Sequence, residues 1–423
     1  TDTVTSPVEI QGDGGAATFR NTSAPANRLL KLSDVSGVST GTNVTTLYLD
    51  GTQSPSGTLE TAVMGIVSDG TAGGKLAVVK DGTGTWTLSN AANSYTGGTK
   101  LNAGILRATA AASLGPGELT LAGGQLHLIN NTNTTFGNNT LVTGDSTVAT
   151  TKTSGATGDA IHSLGTLSIG TSTLSGIKFS ATTNGRLNFG TTTLTGIPTF
   201  SPAGAVSLAL GDINGDNTTG INKTGAGILI LAADSPSYAG ATHVLSGTLQ
   251  VGVNTAAGTL GSGTVLVDAG ATLLFAKNNA STFDNSISGE GAVRLNTTTA
   301  IITLTNASYT GTTQIQNGLL QTNSSASNLV LGTAGATFNY GILGLLSDFN
   351  GGLGFGAGSV TWATGNNVSG GFAVMDAATR NVNIGGNVSP DTLTVGTAGF
   401  VGGTLAGNNS RIAFGDVNGT ALG

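Results

Sequence analysis

Residues 94–106 read SYTGGTKLNAGIL, residues 237–249 SYAGATHVLSGTL, and residues 308–320 SYTGTTQIQNGLL. Superposed, the three share Ser-Tyr-x-Gly-x-Thr-x-aliphatic-x-x-Gly-x-Leu. Catalysis needs one site, so a phrase written three times answers a structural need first. Tyr95 and Tyr238 are 143 residues apart, Tyr238 and Tyr309 71. The first gap is close to twice the second, which predicts a degenerate unit between the first two copies. Two more pairs line up, the first at a shift of 143 residues and the second at 146. KDGTGTWTL (80–88) matches KTGAGILIL (223–231), and LGPGELTL (114–121) matches LGSGTVLV (260–267).

Within a unit the apolar residues alternate. GELTLAGGQLHL (117–128) sets Leu119, Leu121, Leu126 and Leu128 on one face, with Glu118, Thr120, Gln125 and His127 on the other. Period two means strands, and the Gly-Gly, Asn-Gly and Asp-Gly pairs between them are turn signals. ATAAAS (108–113) is too short and uncapped for a helix. Short strands suit either a closed antiparallel barrel or sandwich, or a parallel β-helix. LSIGTSTLSGI (167–177) matches LNFGTTTLTGI (187–197) at a shift of 20 residues, about one coil. Leu167, Leu174 and Ile177 are therefore expected to stack under Leu187, Leu194 and Ile197. Like-on-like stacking at coil spacing selects the parallel architecture.

The expectation is an all-β, right-handed parallel β-helix, a β-solenoid of about 20 coils. Residues 1–64 form N-terminal coils, 65–138 the first unit, 139–215 the degenerate unit, 216–285 the second, 286–341 the third and 342–423 C-terminal coils, all read as one continuous solenoid. In the shared phrase, Tyr95, Tyr238 and Tyr309 cap a corner of the core or stack outward. Gly97, Gly240 and Gly311 supply a positive-φ turn, and Gly104, Gly247 and Gly318 end the next strand. Thr99, Thr242 and Thr313 face outward or form a ladder, and Leu106, Leu249 and Leu320 fill the core.

These phrases resemble the autotransporter-associated β-strand repeat. Lys223, Thr224, Gly225, Gly227, Leu229 and Leu231, then Tyr238, Gly240, Thr242, Val244, Gly247 and Leu249, follow its pattern in order. Lys80 to Leu106 matches equally. The third copy lacks the Lys-x-Gly-x-Gly lead. The resemblance covers roughly residues 65–341, and residues 369–400 more loosely resemble segments beside such repeats in very large bacterial surface proteins. It implies a right-handed parallel β-helix displayed outside the cell, with no particular ligand and no catalytic residue.

Composition narrows the function further. Charged residues are 9% of the chain and the net charge is −6; without a Lys/Arg cluster, nucleic acid is not an expected partner. With no cysteine there is no disulfide or thiol chemistry, which suits a chain exported unfolded. No apolar run approaches the ~20 residues of a membrane helix. Parallel β-helices also host polysaccharide lyases and glycosidases, and such an enzyme is the rival reading; it requires paired carboxylates. No Asp-Asp pair, Gly-His-Gly or Arg-x-Lys is present. His127, His162 and His243 fall in different units and read as surface polar residues. Trp86 aligns with Leu229, an inward slot.

No cofactor motif is present. In GDINGDN (211–217), Asp212, Asn214 and Asp216 have the spacing of a calcium loop, but Asn217 stands at position 6 and Lys223 at position 12. An Asx-rich turn is the alternative. The leading expectation is a bacterial extracellular or outer-membrane-associated structural protein: a stalk, scaffold or fibre segment, with adhesion to surface glycans as a third reading. TDTVTSPVEI at the start and GDVNGTALG at the end read as uncapped coils. The expected partners are further coils of a longer chain, or copies stacking head to tail into a fibre.

Overall fold

The computed structural model describes residues 2–22, 29–53, 61–152, 158–178, 184–214, 219–322, 328–332, 339–347, 349–352, 358–363, 368–374, 382–384, 395–396, 399–400, 411–415 and 421–422. The chain forms two compact units, residues 1–219 with 225–229, and residues 220–224 with 230–423. No described residue is helical.

In the first unit the chain winds round three sheets. Thr140–Val142, Ser146–Thr151 and Ala160–Ser163 lie in three different sheets, and Leu167–Ile169 then returns onto Thr140–Val142 in parallel register. One coil is thus three strands, which defines a parallel β-helix. In the second unit most coils show two strands. Ile221–Lys223, Thr242–Val244 and Val265–Val267 stack in one sheet. Thr248–Thr255, Thr272–Lys277, Ala292–Leu304 and Thr313–Thr322 stack in another. Two antiparallel pairs occur near the C-terminus, Val395–Gly396 with Gly399–Phe400 and Arg411–Gly415 with Ala421–Leu422.

The core is a set of inward columns. Trp86, Leu106, Leu126 and Val148 lie in successive register on one sheet, and all are buried. Each fully buried Leu contributes ~1.5–3 kcal/mol relative to exposure. Leu119, Leu121, Leu126 and Leu128 do point into the core, but from two strands of different sheets, turned through Gly123 and Gly124. Gly124 has φ +65° and a carbonyl 2.6 Å from where its Cβ would stand, so the corner demands glycine.

The expected 20-residue stack is corrected. Leu167 pairs with Thr192, not Leu187, and Leu187 lies between His162 and Leu208. The two matching texts occupy different corners: the first covers Leu167–Ile169 and Thr173–Lys178, the second Gly185–Asn188 and Thr192–Leu194. The coil here is 25 residues long, so a 20-residue slip moves the text one side round the coil. Ile177 is half-buried and Ile197 is 53% exposed, so neither is core.

Candidate functional site

The repeated phrase folds into a polar clamp on the backbone. Lys80 belongs to a core column, between Leu49 and Leu101, and has no exposed surface. Its Nζ donates to the carbonyls of Asp81, Gly82 (2.8 Å) and Ala103 (3.1 Å). A corner of stacked coils turns carbonyls inward, where no strand partner reaches them, and the ammonium satisfies them. Lys223 does the same for Thr224 (2.6 Å) and Ser246 (3.0 Å), beside Val244. Burial pushes both ammonium groups down to about 8, in Lys80 against the pull of Asp50 and Asp81. In the third copy the corresponding column position, beside Ile315, is Leu295.

Tyr95, Tyr238 and Tyr309 are buried at the corner. Their hydroxyls pair with Thr99 (2.6 Å), Thr242 (2.9 Å) and Thr313 (2.7 Å). Burial pushes the phenols up, to about 12 in Tyr238 and Tyr309 and further in Tyr95, while the threonine bonds pull the other way. The outward placement of Thr99, Thr242 and Thr313 is therefore corrected: all are 1% exposed and face the core, two positions before Leu101, Val244 and Ile315. The positive-φ assignment also moves. Gly97 and Gly311 lie outside the left-handed region; there a Cβ would meet backbone 2.5 Å and 2.0 Å away. Gly104 (+66°), Gly247 (+68°) and Gly318 (+96°) hold the positive φ values, and Gly318 lies inside the strand Thr313–Thr322. Gly240 is buried. Leu106, Leu249 and Leu320 fill the core.

The LGPG and LGSG phrases pack on these tyrosines. Gly115 (φ +64°) and Gly261 (φ +67°) would each bring a Cβ onto the tyrosine of the previous coil, 2.5 Å from the Tyr95 carbonyl and 2.1 Å from that of Tyr238. One coil further, Asn138 donates to the carbonyls of Gly115 and Gly117, and Asn285 to those of Gly261 and Gly263. Sequence reasoning missed these asparagines. The signal was TFGNN (135–139) against TFDNS (282–286), which extends the alignment through a third coil.

Of the calcium spacing, Asn214 pairs with Thr193, Asp212 accepts the Thr192 N–H through its backbone carbonyl, and Asp216 lies outside the described residues. No group of three His, Cys, Asp or Glu able to hold a metal occurs among the described residues. The histidine expectation is corrected in two cases. His127 (1% exposed) and His162 (fully buried) are inside; burial and the nearby Arg107 push His127 down to about 4. His243 is part-exposed and meets Asp268 at 2.9 Å. Trp86 fills its inward slot, its indole N–H donating to the Asp50 carbonyl at 2.9 Å.

The second unit also holds a cleft of 470 Å³ whose charged lining residues are Asp234, Lys277 and Asp284. Lys277 is 3% exposed and donates to the carbonyls of Ala256 and Gly258.

The repeated side chains of this β-helix clamp its own backbone. The passenger-associated-transport-repeat family model matches at residues 78–108 and 221–251, so the chain carries two repeats of the kind found in autotransporter passengers. The copy at 308–320 falls outside both matches but keeps the Tyr309–Thr313 bond. Neither curated proteins nor solved structures give a match. Among the described residues no helix is long and apolar enough to cross a membrane.

Proposed function

We propose that the chain is a structural segment of an exported passenger, a β-helical stalk or scaffold displayed on the outside of a bacterial cell. One observation carries the reading. The polar residues that recur with the repeat (Lys80 and Lys223, Tyr95 and Tyr238, Asn138 and Asn285) turn to backbone or to a partner of the same phrase. Their chemistry goes into closing coils, not into a shared reaction centre. Passenger-type repeats imply export, and a chain without cysteine needs no oxidative folding step before or after crossing a membrane.

The test is display. Intact bacteria expressing the full-length gene are treated with external protease and probed with antibody to the coils around Tyr95 and Tyr238. Loss of signal without permeabilisation supports the reading. Signal that disappears only after cell lysis overturns it.

A further inference from the structure

The first two repeats align without a gap from Lys80 and Lys223 to Leu106 and Leu249, and then part. Leu114 follows Leu106 by eight positions; Leu260 follows Leu249 by eleven. The three extra residues are Gly252, Val253 and Asn254. They fall where the register between Thr248–Thr255 and Thr272–Lys277 slips, between Val251 and Thr255. Gly252 (+81°) and the non-glycine Asn254 (+59°) both sit in the left-handed region there. Outlying backbone of this kind persists where its surroundings enforce it, and it gathers at functional sites.

The chemistry changes at the same place. The turn at 268–271 is one residue longer than its counterpart at 122–124, so Asp234, Lys277 and Asp284 stand where the first repeat has Ala91, Asn130 and Gly137. These are the three charged residues that line the cleft. Lys80, in its corner, donates to three carbonyls. Lys277 donates to two, and its third N–H meets no acceptor among the described residues. Asp234 accepts the Gly258 N–H with one oxygen, and Asp284 accepts the Thr305 hydroxyl with one. In each, the second oxygen has no donor among the described residues. Ser281 and Thr282 add hydroxyls to the same wall.

We propose that this cleft binds a neutral saccharide of one or two rings. A sugar hydroxyl both donates and accepts, so a ring presents paired donors and acceptors together. A carboxylate only accepts and an ammonium only donates, so Asp234, Asp284 and Lys277 read both halves of such a pair. Two carboxylates against one ammonium leave the site net negative, which disfavours uronates, sialylated sugars and phosphates. A volume of 470 Å³ lies within the ~300–1,000 Å³ of small-molecule sites. The inference does not depend on display, because the cleft is complete within the second unit.

The experiment applies the labelled full chain to a printed array of neutral and anionic oligosaccharides. The strongest neutral hit is then titrated calorimetrically into the wild-type chain and the triple variant D234A/K277N/D284G. Those substitutions install the residues with which the first repeat folds, and circular dichroism and the melting curve check that the coil is intact. The expected result is a neutral hit whose affinity falls at least tenfold in the triple variant. No neutral hit, binding confined to anionic sugars, or unchanged affinity each overturns the proposal. Calcium chloride that on its own saturates the site and then abolishes the heat of sugar binding also overturns it, in favour of a cation site. Should the triple variant not fold, D234A alone is held to the same tenfold criterion, since its counterpart Ala91 occupies an ordinary turn.

Discussion

The first repeat, from Lys80 to Asn138, and the second, from Lys223 to Asn285, carry the same inner scaffold under different surfaces. Lysine on corner carbonyls, tyrosine on threonine, glycine under tyrosine and asparagine on two glycine carbonyls recur in both. Outside that scaffold they share little. Where the first has Arg107 and His127, the second has Gln250 and Leu274; where the first turns tightly, the second inserts three residues and opens a cleft. The repeat thus encodes how a coil closes, and individuality lies where the text departs from it.

The largest expected effect tests whether the inner scaffolds are equivalent. Gly115→Val and Gly261→Val both force a β-branched residue into positive φ and drive Cβ into the tyrosine carbonyl of the previous coil. Each is expected to cost ~4–5 kcal/mol or to abolish soluble expression, at the upper end for single substitutions. Urea unfolding of both variants measures it. A tolerated Gly261→Val beside a lethal Gly115→Val would break the equivalence.

Next come the lysines. Lys80→Met and Lys223→Met keep the aliphatic stem in the core and remove the ammonium, leaving two or three buried carbonyls unpaired. A loss of ~2–4 kcal/mol is expected in each, similar within error. Lys277→Asn is expected to cost ~1 kcal/mol or less, because Asn130 fills that position in the first repeat and donates to the Thr109 carbonyl. A Lys277→Asn loss as large as that of Lys80→Met would mean that Lys277 is primarily a structural clamp.

The tyrosine clamp is smaller. Thr99→Val and Thr242→Val each remove the threonine partner of a buried phenol. Tyr238 retains the Ala241 carbonyl at 3.3 Å and Tyr95 the Ser113 carbonyl at 3.4 Å. The cost is expected at ~1–2 kcal/mol for each. A double-mutant cycle with Tyr95→Phe and Tyr238→Phe isolates the pair, and a coupling energy near zero would show that burial of the ring alone holds the corner.

Much of this was legible in the chain. Alternation gave the strands, closely repeated text pointed to the parallel architecture although its 20-residue shift is not the 25-residue coil found there, and Trp86 aligning with Leu229 gave an inward slot. The threonines were readable and misread: Thr99 is two positions before Leu101, so period two alone puts it on the core face. Threonine is at home on either face of a strand, and only its tyrosine partner, four positions earlier, shows why it is inside. The 20-residue match misled because every corner uses the same strand-glycine-strand chemistry, so similar text marks similar corners and not the same side of successive coils. The lysine role was hidden because a buried lysine needs carbonyl acceptors, and backbone acceptors leave no trace in side-chain text. The cleft was half visible: the insertion and three new charges are plain once the asparagines extend the alignment, but their convergence needs the fold.

The smallest effect separates the repeats by pH. His127 is 1% exposed on a strand where both faces are buried, its Nε2 3.2 Å from the Gln125 Oε1, with Arg107 and Ala149 as its register neighbours. Burial first, then the charge of Arg107, pushes it down to about 4 from 6.5. A group whose folded pKa is depressed resists the proton that the unfolded chain accepts. Above pH 6.5 the ring is neutral in both states and stability is full. As pH falls from 6.5 towards 4, the unfolded state gains a proton that the folded state does not, and stability drops by up to about 1.4 kcal/mol per pH unit. Near the top of that window, at pH 5.5, the expected loss is about 1 kcal/mol. Leu274 occupies the matching place in the second repeat and cannot titrate, so His127→Leu transfers that property to the first. Urea midpoints at pH 7.5 and 5.5 are expected to differ less in His127→Leu than in the wild type by that amount, His162 accounting for part of what remains. An identical acid shift in both proteins would place the sensitivity elsewhere and remove His127 from the difference between the two repeats.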